Sequence, residues 1–502
     1  MTWQHYHEAT KHQRGSLRGH VLDWASMPDP FRHYMGVPVL DLPADPPNPE
    51  ISAIDVLLGN SGTTSVADGR HLLSQLLFYS AAISASKRVP STGYEYALRV
   101  NPSSGNLHPT EFHFITHGLK GWPDGVYHYD PSRHMAEQRG CGAFEVELAD
   151  GPAPIVFVLT SIVWREAWKY GPRAYRYCLH DIGHAWRALA FAAGAVGCAS
   201  FAAGQFLDDD VARLLHLNED ELPMLIVSLR GKSIPLRERD TGETVWFGGD
   251  VNQLSTETIA YPLLESIHLA TKNKRTDSGG SSVTHAPLPV SVRMKLPPGA
   301  SSTRTLGEVA RMRRSALDFL GGELSMSFSQ LSAILAVGCQ PLLADFGGER
   351  FIQLFLYVHR VDGLPPGVYK FLPECAELEH AKPGDQRLMS SGLSLGQNLA
   401  GNACVCFSMI GDLNRAADYY GDRGYRYVHF EAGAIGHAFY LAAESLGLGA
   451  TGIGAFYDDE VNHYLNVAPA DGQVVYHFAI GYPVPDPRIW GSGTRFTARV
   501  GT

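Results

Sequence analysis

The sequence predicts an α+β fold in which one folding unit occurs twice, so that the two copies pack together as an intrachain pseudo-dimer. The segment YGPRAYRYCLHDIGHAWRALAFAAGAVGCASFAAGQFLDDDV from Tyr170 aligns without a gap with YGDRGYRYVHFEAGAIGHAFYLAAESLGLGATGIGAFYDDEV from Tyr420, at a constant offset of 250 positions. In each copy, apolar strand-like runs flank one long Ala-rich helical pattern. The chain of 502 residues also exceeds the roughly 250–300 residues that a single hydrophobic core usually serves.

The elements of each copy follow from local patterns. Apolar residues at i, i+3 and i+4 predict a long buried helix over AYRYCLHDIGHAWRALAFAAGAVG, which ends at Gly197. Runs rich in β-branched and aromatic residues predict strands at FHFITHG, PIVFVLTSIV and MLIVSLRG in the first copy, and at FIQLFLYVHR, ACVCFSMIGD and VVYHFAIGY in the second.

A Ser/Gly/Pro-rich stretch, TKNKRTDSGGSSVTHAPLPVSV, lies between the copies, and its first half is expected to be a mobile linker. We therefore place the first domain at residues 1–250, the linker at 251–300 and the second domain at 301–502.

Composition narrows the class of protein. The net charge of −10 comes without a basic block, so no nucleic-acid partner is expected. No run approaches the ~18 apolar residues of a membrane span, and the polar start lacks the apolar core of a signal peptide. The seven cysteines form no disulfide framework, and Cys404 and Cys406 alternate along an apolar run. We expect a cytoplasmic protein with reduced thiols and no membrane partner.

The stretch VNPSSGNLHP is the first candidate for a site. Its small residues allow a ligand to approach the backbone, and its polar side chains supply short donors and acceptors. The alternative is a polar turn before the strand at Phe112. The corresponding stretch of the second copy, ADFGGER, keeps two glycines but lacks the serines, the Asn and the His, which favours a site. The candidate residues are Pro102, Ser103, Ser104, Gly105, Asn106 and His108.

The segment RMRRSALDF supplies the cations that an anionic ligand needs. Arg313, Arg314 and Ser315 stand where a helix is expected to begin, and together with free helix N–H groups they would bind a phosphate. The alternative is a solvated basic helix face. The first copy has a looser counterpart in Lys11, Arg14, Ser16 and Arg18.

Lys169 and Tyr170 form a candidate acid/base pair, provided that their surroundings shift a pKa; otherwise Lys169 is a surface lysine. Lys169 does not recur in the second copy, where Tyr419 takes its place. The residues that do recur, Arg173, Tyr175, Arg176 and Tyr177 with Arg423, Tyr425, Arg426 and Tyr427, are expected to fix the entry to the long helix.

Two further patterns complete the inventory. In GQFLDDD and GAFYDDE the backbone beside Gly204 and Gly454 is suited to face a flat ring, while Asp208 and Asp458 are expected to be N-caps. The histidines of QHYHEATKH (His5, His7 and His12) match no tight zinc spacing, so no metal is expected. No G-x-G-x-x-G fingerprint, P-loop or G-x-S-x-G elbow is present, which argues against a Rossmann dehydrogenase, an NTPase and an α/β-hydrolase.

Taken together, RRSALDF, PSSGNLHPTE, GVYHYDP, KYGPRAYRY and GAFYDDE resemble the motifs of the FMN-dependent nitroreductase superfamily. Within it the chain looks most like tandem-domain members of the SagB-like azoline oxidase branch, which oxidise azolines to thiazoles and oxazoles. The resemblance implies two tandem nitroreductase-like domains, each with a central, mainly antiparallel sheet flanked by helices.

The resemblance also implies the roles of the candidate residues. Arg313, Arg314 and Ser315 of the second copy would hold the FMN phosphate with help from Arg495 or Arg499. The candidates from Pro102 to His108 of the first copy would contact the isoalloxazine of the same FMN. Gly454 and Ala455 would lie beside the ring, and Lys169 and Tyr170 would be catalytic. The mirror site, built from Arg14, Ser16, Gly204, Gln205 and ADFGGER, lacks most of this chemistry, so we expect one main FMN site per chain.

The expected function is that of an FMN-dependent oxidoreductase acting on a small molecule or a peptide. Two alternatives remain: a nitro- or quinone reductase that uses NAD(P)H, and a flavin-free scaffold subunit. The chain is expected to be an intrachain pseudo-dimer, because the fusion already supplies the interface that family dimers need. Both a monomer and a further pairing of two chains stay open.

Overall fold

The helices and strands occur in the same order twice, as the sequence repeat predicts. The computed structural model describes residues 2–15, 17, 21–63, 66–148, 151–239, 242–273, 293–348 and 350–490. Its α-helices are α1 (Trp3–Ala9), α2 (Ala53–Leu57), α3 (Gly69–Phe78), α4 (Val163–Tyr170), α5 (Ala174–Ala195), α6 (Asp208–Leu214), α7 (Pro262–Thr271), α8 (Leu306–Met312), α9 (Phe328–Gly338), α10 (Arg387–Leu393), α11 (Asn398–Asn402), α12 (Leu413–Tyr420), α13 (Gly424–Ser445) and α14 (Asp458–Leu465).

The strands are β1 (Tyr34–Met35), β2 (Val39–Asp41), β3 (Ile83–Arg88), β4 (Glu95–Arg99), β5 (Thr110–Thr116), β6 (Gly125–Asp130), β7 (Met135–Cys141), β8 (Ile155–Ser161), β9 (Ala199–Ala203), β10 (Leu222–Arg230), β11 (Val245–Trp246), β12 (Asp250–Val251), β13 (Arg293–Lys295), β14 (Met326–Ser327), β15 (Ile352–Val358), β16 (Val361–Asp362), β17 (Gly367–Leu372), β18 (Glu377–Pro383), β19 (Val405–Gly411), β20 (Gly449–Ile453), β21 (Gln473–Gly481) and β22 (Ile489–Trp490).

Each copy is built on one antiparallel sheet. The first sheet contains the order β7-β6-β5-β8-β10-β9, and the second repeats it as β18-β17-β15-β19-β21-β20. The six strands predicted from the sequence are the inner strands β5, β8 and β10 and their counterparts β15, β19 and β21. Their side chains are almost all buried, because helices cover the sheets. The α+β class with antiparallel sheets flanked by helices is therefore confirmed.

The two long helices, α5 and α13, join the copies at a close crossing. A Cβ atom on Gly183 of α5 would overlap the carbonyl oxygen of Phe430, and one on Gly433 of α13 would overlap that of His180. Only hydrogen fits at these two positions, which occupy the same place in the repeat. The backbones can therefore approach closely enough to bury both helices in one continuous core.

Crossed ion pairs hold the same interface. Arg173 and Arg176 at the start of α5 contact the carboxylate of Asp458 in the other copy at 3.0 and 2.8 Å. The reciprocal set consists of Asp208, Arg423 and Arg426, at 2.6 and 2.8 Å. The recurring arginines stand at the start of each long helix, as expected, and there they form buried ion pairs with the opposite copy. Disrupting one of these pairs would leave a buried charge unpaired.

The expectation that Asp208 and Asp458 are N-caps is wrong. The N-cap residues of α6 and α14 are Leu207 and Tyr457, and each aspartate is the first residue inside its helix. The two carboxylates are buried and face the arginines of the opposite copy, so they bind guanidinium groups instead of capping their own helices.

A three-stranded sheet made by both copies covers one side of the interface. The hairpin β3–β4 of the first copy pairs with β22 of the second, in the order β22-β3-β4. Lys87 on β3 also forms an ion pair with Asp486 at 2.7 Å. In the second copy, residues 339–351 connect α9 directly to β15, and the positions described there form no such hairpin.

The region expected to be a linker is partly ordered. Helix α7 lies at Pro262–Thr271, and the hydroxyl of Thr271 contacts that of Tyr175 at 2.8 Å. Most of the segment expected to be mobile falls at 274–292, outside the described residues. The boundaries 1–250, 251–300 and 301–502 stay predictions.

Two findings bear on the environment of the protein. Among the residues described above, no helix combines the length and the apolar character that crossing a bilayer requires. The seven cysteines all have free thiols. Cys404, just before β19, and Cys406, on β19, are both buried.

Candidate active site

A cavity of about 410 Å³ lies between the two copies, within the size range of ligand pockets. The first copy contributes the loop between β4 and β5 together with residues of α4 and α5. The second copy contributes the segment after α8 and the end of β20. Both walls of the cavity therefore come from the same chain.

The structure brings nearly all the sequence-predicted site residues to this cavity. Those that line it are Pro102, Ser103, Ser104, Gly105, Asn106, His108, Tyr170, Arg313, Arg314, Ser315, Gly454 and Ala455. Lys169 is adjacent, because its Nζ lies 3.0 Å from the point where a Cβ on Gly105 would stand. Arg495 and Arg499 lie outside the described residues.

The PSSGN loop is both a turn and a cavity wall. The backbone N–H and the hydroxyl of Ser104 donate to the carboxylate of Asp181 at 3.1 Å. The N–H of His108 donates to the Ser103 hydroxyl at 2.8 Å, and the Asn106 amide donates to the Ala97 carbonyl at 2.9 Å. These bonds fix the loop on α5 and β4, so its inner surface is rigid.

Gly105 is the point where this loop meets the candidate catalytic pair. Its φ of +59° favours glycine, and a Cβ there would lie 2.7 Å from the Tyr170 hydroxyl. The glycine thus lets the loop backbone approach both Tyr170 and Lys169. A side chain at position 105 would displace them.

Tyr170 and Lys169 close α4. Burial, together with the nearby carboxyl of Glu166, holds the pKa of Tyr170 well above its usual value, so the phenol carries its proton at neutral pH. The Lys169 ammonium lies 5.4 Å from the centre of the Tyr170 ring. Glu166 is fully buried, and burial and Asp181 hold its pKa well above the ordinary range. The site therefore combines a protonated phenol with a cation.

The expectation that Arg313 and Arg314 begin a helix is wrong. Helix α8 starts earlier, because Thr305 and Glu308 form a capping box at its N-terminus, and it ends at Met312. The chain then runs extended, and Ser315 pairs in parallel with Ala450 beside the second sheet. An anion here would be bound by guanidinium and hydroxyl groups, without helix N–H groups.

The two arginines form an uncompensated positive group. Arg313 is 3% exposed and donates to the carbonyls of Val100 and Arg99 at 3.0 and 3.2 Å, while its Nη1 is buried without a hydrogen-bond partner. Burial, together with Arg313 and Arg311, lowers the pKa of Arg314 to about 10. Because no carboxylate bonds to either guanidinium in the described part of the chain, an anionic ligand would relieve this charge.

Sequence reasoning missed several residues of the cavity. Tyr177, Asp181 and His184 line it from one face of α5, at helical spacing. Burial raises the pKa of Asp181 to about 7. Tyr440 of α13 contacts the Ser315 hydroxyl at 2.8 Å. The available signal was a polar stripe along an otherwise apolar helix.

The corresponding region of the other copy is filled by this chain's own side chains. The backbone N–H groups of Gly204 and Gln205 donate to the Asp345 carboxylate at 2.8 and 3.0 Å. The ring of Phe346 stacks on Tyr427 with centroids 4.2 Å apart and planes at 7°. By the offset of 250, Gly204, Gln205 and Tyr427 correspond to Gly454, Ala455 and Tyr177 of the open cavity.

The looser arginine counterpart proposed for the first copy is wrong. Lys11 and Arg14 form ion pairs with Asp459 and Glu460 of α14, both at 2.8 Å, so their charges are compensated. Helix α2 is the counterpart of α8, because α2 is followed by α3 as α8 is followed by α9. The segment after α2 (58–63) therefore corresponds to the segment that carries Arg313 and Arg314, and it contains no arginine. Ser16 and Arg18 lie outside the described residues.

Two histidines of the N-terminal segment contact the second copy. His7 is buried, with its Nδ1 3.3 Å from the Tyr425 hydroxyl. The backbone N–H of His12 donates to Asp458 at 2.8 Å.

These features define a two-domain α+β protein with an interdomain cleft, and comparison with known proteins gives its family. The model of the nitroreductase family matches residues 80–232 and 328–482, which is more than half of the chain. The chain therefore belongs to the nitroreductase family and is an oxidoreductase of that family with two nitroreductase domains.

Individual relatives agree. A protein of Methanocaldococcus jannaschii assigned as a nitroreductase is 34% identical over 169 residues, which are 32% of this chain and 84% of that protein. The crystal structure of a protein assigned as a nitroreductase from Anabaena variabilis is 26% identical, with a TM-score of 0.77, and the match covers 96% of this chain and 99% of that one.

Proposed function

We propose that the chain is an FMN-dependent oxidoreductase of the SagB-like dehydrogenase/oxidase type, with one main FMN site in the cavity between its copies. The observation that supports this most is the convergence, in one cavity, of an unpartnered Arg313 Nη1, the rigid PSSGN wall and the Lys169–Tyr170 pair.

The residues fit FMN. Arg313, Arg314 and Ser315 would hold its phosphate, because they combine two cations with a hydroxyl. The PSSGN loop would face the flavin ring from one copy, while Gly454 and Ala455 face it from the other. Arg495 remains a proposed phosphate ligand. When bound, FMN would supply a hydride acceptor, which is chemistry that side chains lack.

The chain's own residues would move the proton that accompanies hydride removal. Tyr170 and Lys169 would handle that proton between them, because the Tyr170 hydroxyl and the Lys169 Nζ both lie beside Gly105 at the wall of the cavity. Asp181 would act as a positioning residue, because it holds the Ser104 end of the loop.

The proposal extends to the surroundings of the enzyme. The substrate would be a small molecule or a peptide, and a single chain would suffice for activity, because both walls of the cavity belong to it. The compartment would be the cytoplasm, where thiols stay reduced.

Flavin titration of the purified full chain tests this proposal. We expect one FMN per chain, with affinity reduced about 10–100-fold in Arg313→Met, because charge-assisted hydrogen bonds contribute about 1.5–3 kcal/mol. Arg213→Met is the matched control, since Arg213 is an exposed arginine paired with Asp210. Two FMN per chain would contradict the single-site assignment, and a protein that retains no FMN would be a scaffold.

Anaerobic mixing with NAD(P)H separates the oxidase from a nitro- or quinone reductase. We expect the flavin absorbance to persist for the oxidase. Rapid bleaching would show that a nicotinamide feeds the flavin, and it would replace the SagB-like assignment with the reductase.

A further inference from the structure

A second cavity, of about 270 Å³, lies between the copies at the place that corresponds, in the repeat, to the arginine end of the FMN cleft. Ser200 and Ala190 line it, and by the offset of 250 they correspond to Ala450 and Tyr440. In the second copy those two residues contact Ser315. The second cavity is therefore the pseudo-symmetric counterpart of the proposed phosphate end.

Arg187 of α5 is the charged group in this cavity. Its guanidinium carbon lies 4.3 Å from the centre of the Phe191 ring, and its Nε is buried without a hydrogen-bond partner. Across the described ranges, no carboxylate pairs with it. Burial alone lowers its pKa to about 10. An arginine stacked on an aromatic ring still presents the N–H edge that binds a carboxylate with two parallel hydrogen bonds.

The rest of the cavity is largely apolar. Trp186, Phe191 and Leu343 supply flat and aliphatic walls, and Ser61 and Ser200 add hydroxyl groups. One cation beside such walls matches a ligand with one negative charge and an apolar body. A phosphate dianion would need more positive charge or more N–H donors than these residues supply.

We propose that this cavity binds a small organic carboxylate with a planar apolar body, and that Arg187 holds the carboxylate. A whole flavin nucleotide is excluded, because Asp345 and Phe346 fill the adjacent ring end of this copy. The site is separate from the proposed FMN cleft and does not depend on it.

Fluorine NMR of the full-length chain, saturated with FMN wherever it binds FMN, tests the proposal with 4-fluorobenzoate and its neutral analogue 4-fluorobenzamide. We expect saturable binding of 4-fluorobenzoate at least tenfold tighter than that of 4-fluorobenzamide. Arg187→Met should remove this preference, because it keeps an apolar side chain but loses the charge. Ala190→Phe, which fills the cavity and keeps Arg187, should abolish binding of both probes.

Arg213→Met is the matched control, because Arg213 is an exposed arginine that lines neither cavity, and it should leave the preference unchanged. A preference that survives Arg187→Met, or that disappears in Arg213→Met, would place the carboxylate elsewhere and overturn the proposal. Equal affinity for both probes, or no binding, would also overturn it, and so would inorganic phosphate displacing 4-fluorobenzoate at equal concentration. None of these outcomes depends on how much FMN the chain binds.

Discussion

Gly454 and Ala455 border an open cavity, whereas their counterparts Gly204 and Gln205 donate their backbone N–H groups to Asp345. Both pairs end the same strand of the repeat and lie beside equivalent tyrosines. In one copy the neighbouring space is lined by arginines and polar loop atoms. In the other, a phenylalanine and an aspartate of the same chain occupy it.

This difference shows how a duplicated domain can keep one site and turn the other into packing. The shared requirements of both copies, the crossed ion pairs and the close helix crossing, remain symmetric because the interface needs both. Lys169 and Tyr419, which differ between the copies, take part in neither those ion pairs nor that helix crossing.

The largest expected difference between the two copies is catalytic. Tyr170→Phe should lower kcat about 10²–10⁴-fold with FMN content unchanged, because it removes the proton-carrying hydroxyl. Steady-state kinetics with the flavin spectrum of each variant measures both quantities. The counterpart substitution Tyr420→Phe should leave kcat within about twofold; equal losses in the two variants would refute an asymmetric enzyme.

The crossed ion pairs should behave alike in both copies. Asp458→Asn and Asp208→Asn should each reduce the free energy of unfolding by about 3–5 kcal/mol, because each leaves two buried guanidinium groups underpaired. Urea denaturation provides the measurement, with the exposed Asp210→Asn as control. A loss confined to one copy would mean that the interface is not symmetric.

A buried carboxyl pair gives a smaller, pH-dependent effect. Burial raises the pKa of Asp181 to about 7, and that of its counterpart Glu431 to about 7 as well. The folded state then binds more protons than the unfolded state between about pH 4 and pH 7, so stability falls as pH rises through this window. Relative to Asp181→Asn or Glu431→Gln, the wild type should lose about 3 kcal/mol between pH 4.5 and pH 7.5.

Denaturation of the wild type and both variants at the two pH values tests this. A parallel response of all three proteins would show that neither carboxyl is protonated in the folded state.

The smallest effect is expected at the filled cleft. Phe346→Leu should cost about 1–2 kcal/mol of stability, because it removes the stack on Tyr427 while keeping most apolar bulk. The FMN stoichiometry should stay at one per chain, since no arginine lies in the segment after α2. Thermal unfolding measures the loss of stability, and flavin titration measures the FMN stoichiometry. A second bound FMN would show that Phe346 alone closes this site.

Local patterns predicted the repeat, the long helices and the inner strands, because side-chain periodicity records which face is buried. The helix start predicted at Arg313 was wrong. The T-x-x-E pattern at Thr305, which is a capping box, sets the helix start at Leu306. The caps at Asp208 and Asp458 failed for another reason: their partners lie more than 200 residues away, and no local pattern encodes that contact.

The residues of the candidate site divide in the same way. The loop at PSSGN and the Arg–Ser segment stand out by composition, so the sequence identified them. Tyr177 and Asp181 are spaced like core residues of α5, and only the fold shows that they border a cavity. The pairing of β22 with the hairpin β3–β4 could not be predicted from local patterns, because the two partners lie far apart along the chain.

The pairing of β22 with β3 also determines when, during synthesis, the cover of the cleft can form. Ile489 bonds opposite Lys87, so the cover of the cleft joins the early and the late part of the chain. During synthesis the first copy emerges with its PSSGN loop long before the opposite wall exists. A chain interrupted before β22 would lack this strand of the cover, so the covered cavity forms only after β22 has been synthesised.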